Sequence, residues 1–187
     1  MTIKEKYQNE CNRQSDINEL LPYLKEYADK CDHVTEMGVR WVSSTYAFLA
    51  SNAKTVVGYD IETQRQAWEC KEICQKEGRE WTYIEADVLK VDIEETDFLF
   101  IDTFHTKTQL ERELAKHANK VRKYIGFHDT TAFEWKGEES YHSVSDKGTN
   151  CGGGIWYAIQ DFLDSNPNWA IVLRETKNNG LTIIGKK

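Results

Sequence analysis

Asp60 closes the apolar segment Val56-Val57-Gly58-Tyr59, and a carboxylate at the end of such a run can accept hydrogen bonds from both hydroxyls of a ribose. Capping a helix that opens at Ile61 is the alternative use of the same side chain. Upstream, Glu36-Met37-Gly38-Val39-Arg40-Trp41-Val42-Ser43-Ser44-Thr45 makes a turn with one glycine, followed by bulky Arg40 and Trp41. A pyrophosphate needs backbone amides brought close to it, so the turn disfavours a nicotinamide dinucleotide; a cofactor without phosphates demands less. Polar or ionisable groups also follow three other segments, at Ala86-Asp87, Asp102 to His105, and His128 to Thr130. Packing explains Cys70 and Cys74, one helical turn apart, better than chelation does. Cys151 stands beside a glycine-rich turn with no local feature that demands a reactive thiol.

The elements that must position these groups follow from periodicity. Ile17, Leu20, Leu21 and Leu24 predict a helix over 15–30, with Asp16 and Glu19 resembling a capping box and Pro22 drawing the start toward itself. Strands are expected at His33–Met37, Thr55–Asp60, Trp81–Ala86, Asp97–Asp102, Tyr124–His128, Ala170–Glu175 and Leu181–Gly185. Helices are expected at Val42–Ser51, Ile61–Glu77, Leu110–Asn119 and Gly154–Asp164. The run Phe98-Leu99-Phe100-Ile101 between two aspartates reads as a central strand covered on both faces. Lys177-Asn178-Asn179-Gly180 is a hairpin signal. This order implies an α/β fold: a Rossmann-like, doubly wound, mostly parallel seven-stranded sheet ending in an antiparallel β-hairpin. Ligands in such sheets sit beyond the carboxyl ends of the strands, where the polar groups above fall. Residues 130–152 lack periodicity and read as an active-site loop.

The 187 residues fit one domain, with 1–32 as an N-terminal helical segment. A net charge of -7 argues against a nucleic-acid partner; Lys116, Lys120, Arg122 and Lys123 read as a solvated helix end. No apolar run is long enough to cross a bilayer, and Met1 to Lys6 lacks the apolar stretch of a signal peptide, so no membrane partner and a cytoplasmic location are expected. The odd count of five cysteines and the absence of Cys-x-x-Cys speak against a disulfide framework or zinc site. Trp68, Trp156 and Trp169 are expected in the core.

Several of these segments, taken in order, resemble a known family. Glu-x-Gly with Ser-Thr after a short loop, then a strand ending Gly-Tyr-Asp, is similar to motifs I and II of class I S-adenosylmethionine (SAM)-dependent methyltransferases. The nearest branch holds catechol O-methyltransferase, macrocin-type sugar O-methyltransferases and cephalosporin-hydroxylase-like proteins. Ile-Asp-Thr-Phe-His and Gly-Phe-His-Asp-Thr resemble its fourth- and fifth-strand motifs, and Gly-x-Trp-x-Ala-Ile-x-x-Phe-Leu with Asn-Asn-Gly-Leu-Thr its ending; the likeness covers 15–187. It implies that Glu36 and Gly38 border the methionine part of SAM, with Ser44 near its carboxylate, Asp60 on the ribose and Asp87 at the adenine amino group. Val42 departs from the pattern, where a second glycine is common.

The resemblance also implies a divalent cation at Asp102, His128 and Asp129. Oxygen ligands favour Mg²⁺, and a histidine shifts preference toward Mn²⁺, Fe²⁺ or Zn²⁺. His105 is then a fourth ligand or a general base; plain solvation of His105 and capping by Asp129 are the alternatives. The implied reaction is in-line methyl transfer to an oxygen of a small-molecule or sugar acceptor, with Asp102, His105 and His128 as catalytic groups. Trp135, Tyr141 and His142 would close over that acceptor, unless they are packing residues. A fold that has lost catalysis and serves as a SAM-binding or interaction protein is the rival reading, as is a SAM-cleaving enzyme; a homo-oligomer is left open.

Overall fold

The computed structural model describes residues 1–138 and 152–187. One sheet has the strand order β3-β2-β1-β4-β5-β7-β6. Its strands are β1 (His33–Met37), β2 (Thr55–Asp60), β3 (Trp81–Glu85), β4 (Thr96–Ile101), β5 (Val121–His128), β6 (Trp169–Glu175) and β7 (Leu181–Lys186). The first five run parallel, and β7 lies antiparallel between β5 and β6, so the terminal hairpin adds one antiparallel strand, as expected. Strand order reverses between β1 and β4, which opens a crevice at their carboxyl ends.

Helices α1 (Ile3–Asn12), α2 (Leu21–Ala28), α3 (Ser43–Leu49), α4 (Arg65–Glu77), α5 (Lys107–His117) and α6 (Ile155–Ser165) cover the sheet. All six residues of β4 are buried. Phe98 and Phe100 face the core with α3, edge-on to Phe48 at 5.8 and 5.4 Å. Leu99 and Ile101 face the other core, with Leu110 and Leu114 of α5 and Ile155 and Ile159 of α6. Each such side chain contributes about 1.5–3 kcal/mol by burial, which is why this apolar run must sit at the centre.

Four expectations need correction. The helix expected over 15–30 is shorter: α2 starts only at Leu21, with Pro22 in its first turn as the proline implied, where a missing N–H costs nothing. Asp16 and Glu19 form no capping box; the Asp16 carbonyl accepts from the Asn179 amide at 3.2 Å, and the Glu19 amide donates to Asn178 at 2.9 Å. A capping box does occur earlier, between Thr2 and Glu5 at the start of α1. Helix α4 starts at Arg65, not Ile61, so Asp60 caps nothing. Trp68 is 61% exposed, whereas Trp156 and Trp169 are core, as expected. Cys70 and Cys74 are buried with the core side chains.

Candidate active site

The crevice begins where β1 ends. Gly38 has φ +86°, and a Cβ there would lie 1.8 Å from the Asp102 carbonyl oxygen, so the glycine lets the ends of β1 and β4 touch. The turn after it also takes Arg40 (φ 40°) and Val42 (φ 60°) through the left-handed region, at about 1–2 kcal/mol per non-glycine residue. Val42 is thus a β-branched residue where the backbone wants glycine. Asp60 holds this turn: its Oδ2 accepts from the Val39 and Arg40 amides at 2.9 and 2.7 Å, and its Oδ1 from the Glu62 amide at 3.2 Å. A carboxylate has about four acceptor positions, so Asp60 as folded has room for one ribose hydroxyl rather than two.

Glu36, wholly buried on β1, accepts hydrogen bonds from the hydroxyls of Ser44 and Thr45 on α3 (2.6 Å from Thr45). Ser44 is 4% exposed, and its hydroxyl is spent on Glu36 rather than offered to a cofactor carboxylate. Burial pushes the Glu36 carboxyl up to about 8, and the two hydroxyls only partly oppose the shift. A folded value above the ordinary 4.5 means the folded protein holds a proton that the unfolded chain has lost, so stability falls as pH rises from 4.5 to 8. Glu36→Gln is expected to flatten this slope and to raise the melting temperature at pH 8 more than at pH 5. Parallel melting curves for the two proteins would refute a protonated Glu36. Asp87, beyond β3, accepts from the Leu89 amide at 2.9 Å and pairs with Lys90 at 3.1 Å.

Across the crevice, β4 and β5 deliver the ionisable cluster. One ligand atom each from Asp102, His128 and Asp129 lies within 4.8 Å of the others. His128 Nδ1 is 3.3 Å from an oxygen of both Asp102 and Asp129, yet makes a well-directed hydrogen bond to neither. Its Nε2 faces the Asp16 carbonyl oxygen at 3.1 Å. His105 joins them, with Nε2 at 3.2 Å from Asp102 and 2.8 Å from Asp129. Glu138, which nothing in its local sequence marks, sits 2.9 Å from His105 Nδ1, and Phe133 stacks on the His105 ring at 4.7 Å.

Burial alone would discharge all these groups, but their pairing wins. The two imidazoles hold Asp102 down at about 2 and Asp129 well below the carboxylate range. The carboxylates push His128 up to about 10 and His105 well above its ordinary value. Asp102 is the most open of the four, with 23% of its side-chain surface exposed against 2% for His128. His128, with both nitrogens facing protein groups, is placed to anchor rather than to take a proton from an acceptor.

Behind the cluster, Glu113 of α5 is wholly buried, accepts from Thr103 and Gln109 at 2.6 and 2.8 Å, and is pushed by burial up to about 7. It occupies the helical stripe Leu110, Glu113, Leu114, His117, a signal the sequence reading passed over. Trp135 is 50% exposed and packs edge-on to Tyr157 at 5.2 Å. Tyr141, His142 and Cys151 lie outside the described residues. A cavity of about 560 Å³ between α5 and α6, lined by Ala115, Ala158, Phe162 and Trp169, is remote from the strand ends just described.

Strand order, the single antiparallel β7 and the crevice flanked by Gly38 and Asp60 define the fold of class I SAM-dependent methyltransferases. Solved structures agree. An O-methyltransferase from Bacillus cereus in complex with S-adenosylhomocysteine (SAH) superposes with a TM-score of 0.65 at 14% identity, over 99% of this chain and 90% of that one. An SAH-bound methyltransferase of Podospora anserina gives 0.59 at 15% identity, over 99% and 87%. The N-methyltransferase NodS from Bradyrhizobium japonicum gives 0.61 at 12% identity, over 91% and 96%. No protein-family model and no curated protein matches the sequence.

Proposed function

We propose that this chain is a SAM-dependent methyltransferase acting on an oxygen of a small-molecule or sugar acceptor, with Mg²⁺ or Mn²⁺ held by Asp102, His128 and Asp129. The observation that carries the cofactor is Asp60, a carboxylate with one acceptor position left, at the end of β2 beside a single-glycine turn. Ribose recognition by Asp60 suits a nucleoside, and bulky Arg40 and Trp41 in the turn speak against a pyrophosphate. Gly38 and Glu36 would border the methionine end, and Asp87 the adenine.

SAM supplies an electrophilic methyl, and a divalent cation would lower the pKa of the acceptor hydroxyl. The chain's own work is to hold acceptor oxygen and methyl carbon in line. Asp102, the open member of the cluster, would face the acceptor. Asp129 and His128 would hold from within, and His105 would take the acceptor's proton only after losing the one its carboxylate partners keep on it. Two observations support a cation: His128 Nδ1 and Asp129 Oδ1 are buried polar atoms without a well-directed hydrogen bond among the described residues. A cytoplasmic location goes with this reading. Among the described residues no helix is long and apolar enough to cross a membrane, and acidic composition supports a partner other than nucleic acid.

Asp60→Ala is expected to weaken SAH binding about 10–100-fold, the loss of one hydrogen bond to a charged group, measured by calorimetry against the unaltered protein. Unchanged affinity would remove the ribose assignment.

A further inference from the structure

We propose that His105 is a fourth ligand in the β4–β5 cluster and that Glu138 positions it from outside. Together they would make a two-histidine, two-carboxylate site that takes Mn²⁺, Fe²⁺ or Zn²⁺ in preference to Mg²⁺. This rests on the metal-assisted part of the function proposed above and is independent of the cofactor.

The hydrogen-bond partners of the rings carry the inference. A carbonyl oxygen can only accept, so the 3.1 Å approach of Asp16 O puts a hydrogen on His128 Nε2. In the neutral ring that leaves the Nδ1 lone pair pointing at two carboxylates, each 3.3 Å away. Lone pair against carboxylate is repulsive unless a proton or a metal ion lies between them, and a divalent cation would take the place of that proton. His105 repeats the arrangement with its nitrogens exchanged. Glu138 occupies the Nδ1 side at 2.9 Å, and Nε2 faces the same pair, Asp102 and Asp129. Both rings therefore aim one nitrogen at the Asp102–Asp129 pair, meeting at Asp129 Oδ2 (2.8 and 3.3 Å) while facing opposite oxygens of Asp102, and each has an outer acceptor that fixes its tautomer, as ligating histidines do.

The backbone is arranged to the same end. Asp129 sits at φ 60°, an uncommon conformation for a non-glycine residue, and its Oδ1 is buried without a partner among the described residues. Residues 131–138 form a strap across His105: the Glu138 amide donates to the His105 carbonyl at 3.0 Å, and Phe133 lies flat on the ring at an interplanar angle of 4°. The strap is tied to the start of α6 by the Ile155 and Trp156 amides, which donate to Phe133 and Glu134 carbonyls at 2.9 and 3.1 Å. Ring rotation that would take Nε2 out of the cluster is blocked. First-row metals bind nitrogen and oxygen at about 2.0–2.2 Å; Asp102, His128 and Asp129 already offer donors within 4.8 Å of one another, and His105 Nε2, 2.8 Å from Asp129, would close on the same ion. Two imidazoles disfavour Mg²⁺, which prefers oxygen and keeps its water.

The test is Mn²⁺ and Mg²⁺ calorimetry on the whole chain, together with pulsed electron paramagnetic resonance of the Mn²⁺ form, which counts coordinated nitrogens. Mn²⁺ should bind at least tenfold more tightly than Mg²⁺, with two imidazole nitrogens coupled. His105→Ala should leave one coupled nitrogen and cost Mn²⁺ at least tenfold in affinity. Glu138→Gln should keep both nitrogens and weaken Mn²⁺ about 10–100-fold. One coupled nitrogen in the unaltered protein, equal affinity for the two ions, or no Mn²⁺ binding overturns the proposal, even if a variant fails to fold. SAH titrated into the same samples separates the failures: SAH binding without metal binding sinks this inference alone, and metal binding without SAH sinks the cofactor assignment alone.

Discussion

Asp102→Ala is expected to lower divalent-metal affinity and methyl transfer at least about 100-fold while leaving SAH affinity within about twofold. Asp102 is the hub of the cluster, with Oδ1 facing His105 and Oδ2 facing His128. Losing one carboxylate of a metal site removes both a ligand and a charge, and exposes the remaining imidazoles to each other. The substitution keeps the Asp102 carbonyl that packs against Gly38, so the cofactor side should survive. Stability in the metal-free protein should respond with a definite sign. Asp102, lowered from 3.8 to about 2, contributes above pH 3.8 and loses that contribution as pH falls through 2. His128, raised from 6.5 to about 10, contributes below pH 6.5 and loses it as pH rises through 10. Asp102→Ala should therefore cost most stability between about pH 4 and 6.5, and progressively less toward pH 10. Unchanged metal affinity, or a cost that grows with alkaline pH, would contradict the ion-pair geometry.

Gly38→Ala should be the most damaging glycine-to-alanine change among the described residues. The new methyl would sit 1.8 Å from a backbone oxygen at φ +86°, and neither atom belongs to a flexible side chain that can move aside. Relief requires β1 and β4 to part at the point where Asp102 N donates to Met37 O at 2.8 Å. A left-handed alanine alone costs about 1–2 kcal/mol, and the overlap adds several more against a usual stability of about 5–15 kcal/mol. A fall in melting temperature of more than about 10 °C, or failure to fold, is expected by circular dichroism. Gly78 makes the control: it has φ +64° with nothing near a would-be Cβ, so Gly78→Ala should cost only about 1–2 kcal/mol. Equal melting temperatures for the two variants would show that β1 and β4 do not meet as described.

The sheet was legible because its determinants are local. The run Phe98 to Ile101 needs cover on both faces wherever it lies, and the polar groups that end each apolar run mark the carboxyl edge where ligands collect. Periodicity applied more strictly would also have placed Trp68 outside, because the buried stripe of α4 is Ala67, Cys70 and Cys74, and would have shown Glu113 facing inward. Thr2-Ile3-Lys4-Glu5 carried a capping signal for α1 that the reading missed. Other features belong to tertiary packing and leave no local trace. Glu138 reaches His105 across 33 residues, and the Asp16 carbonyl reaches His128 across 112. Asp60 is partly spent on its neighbouring turn because Arg40 and Val42 adopt left-handed conformations, which no residue count reveals.

The decisive measurement is a calorimetric titration of the whole chain with SAH, with NAD as the control ligand. A SAM-dependent methyltransferase should bind SAH with micromolar affinity and ignore NAD. No SAH binding, with the chain folded, would leave a methyltransferase fold used for another purpose and would remove the catalytic roles assigned to Asp102 and His105.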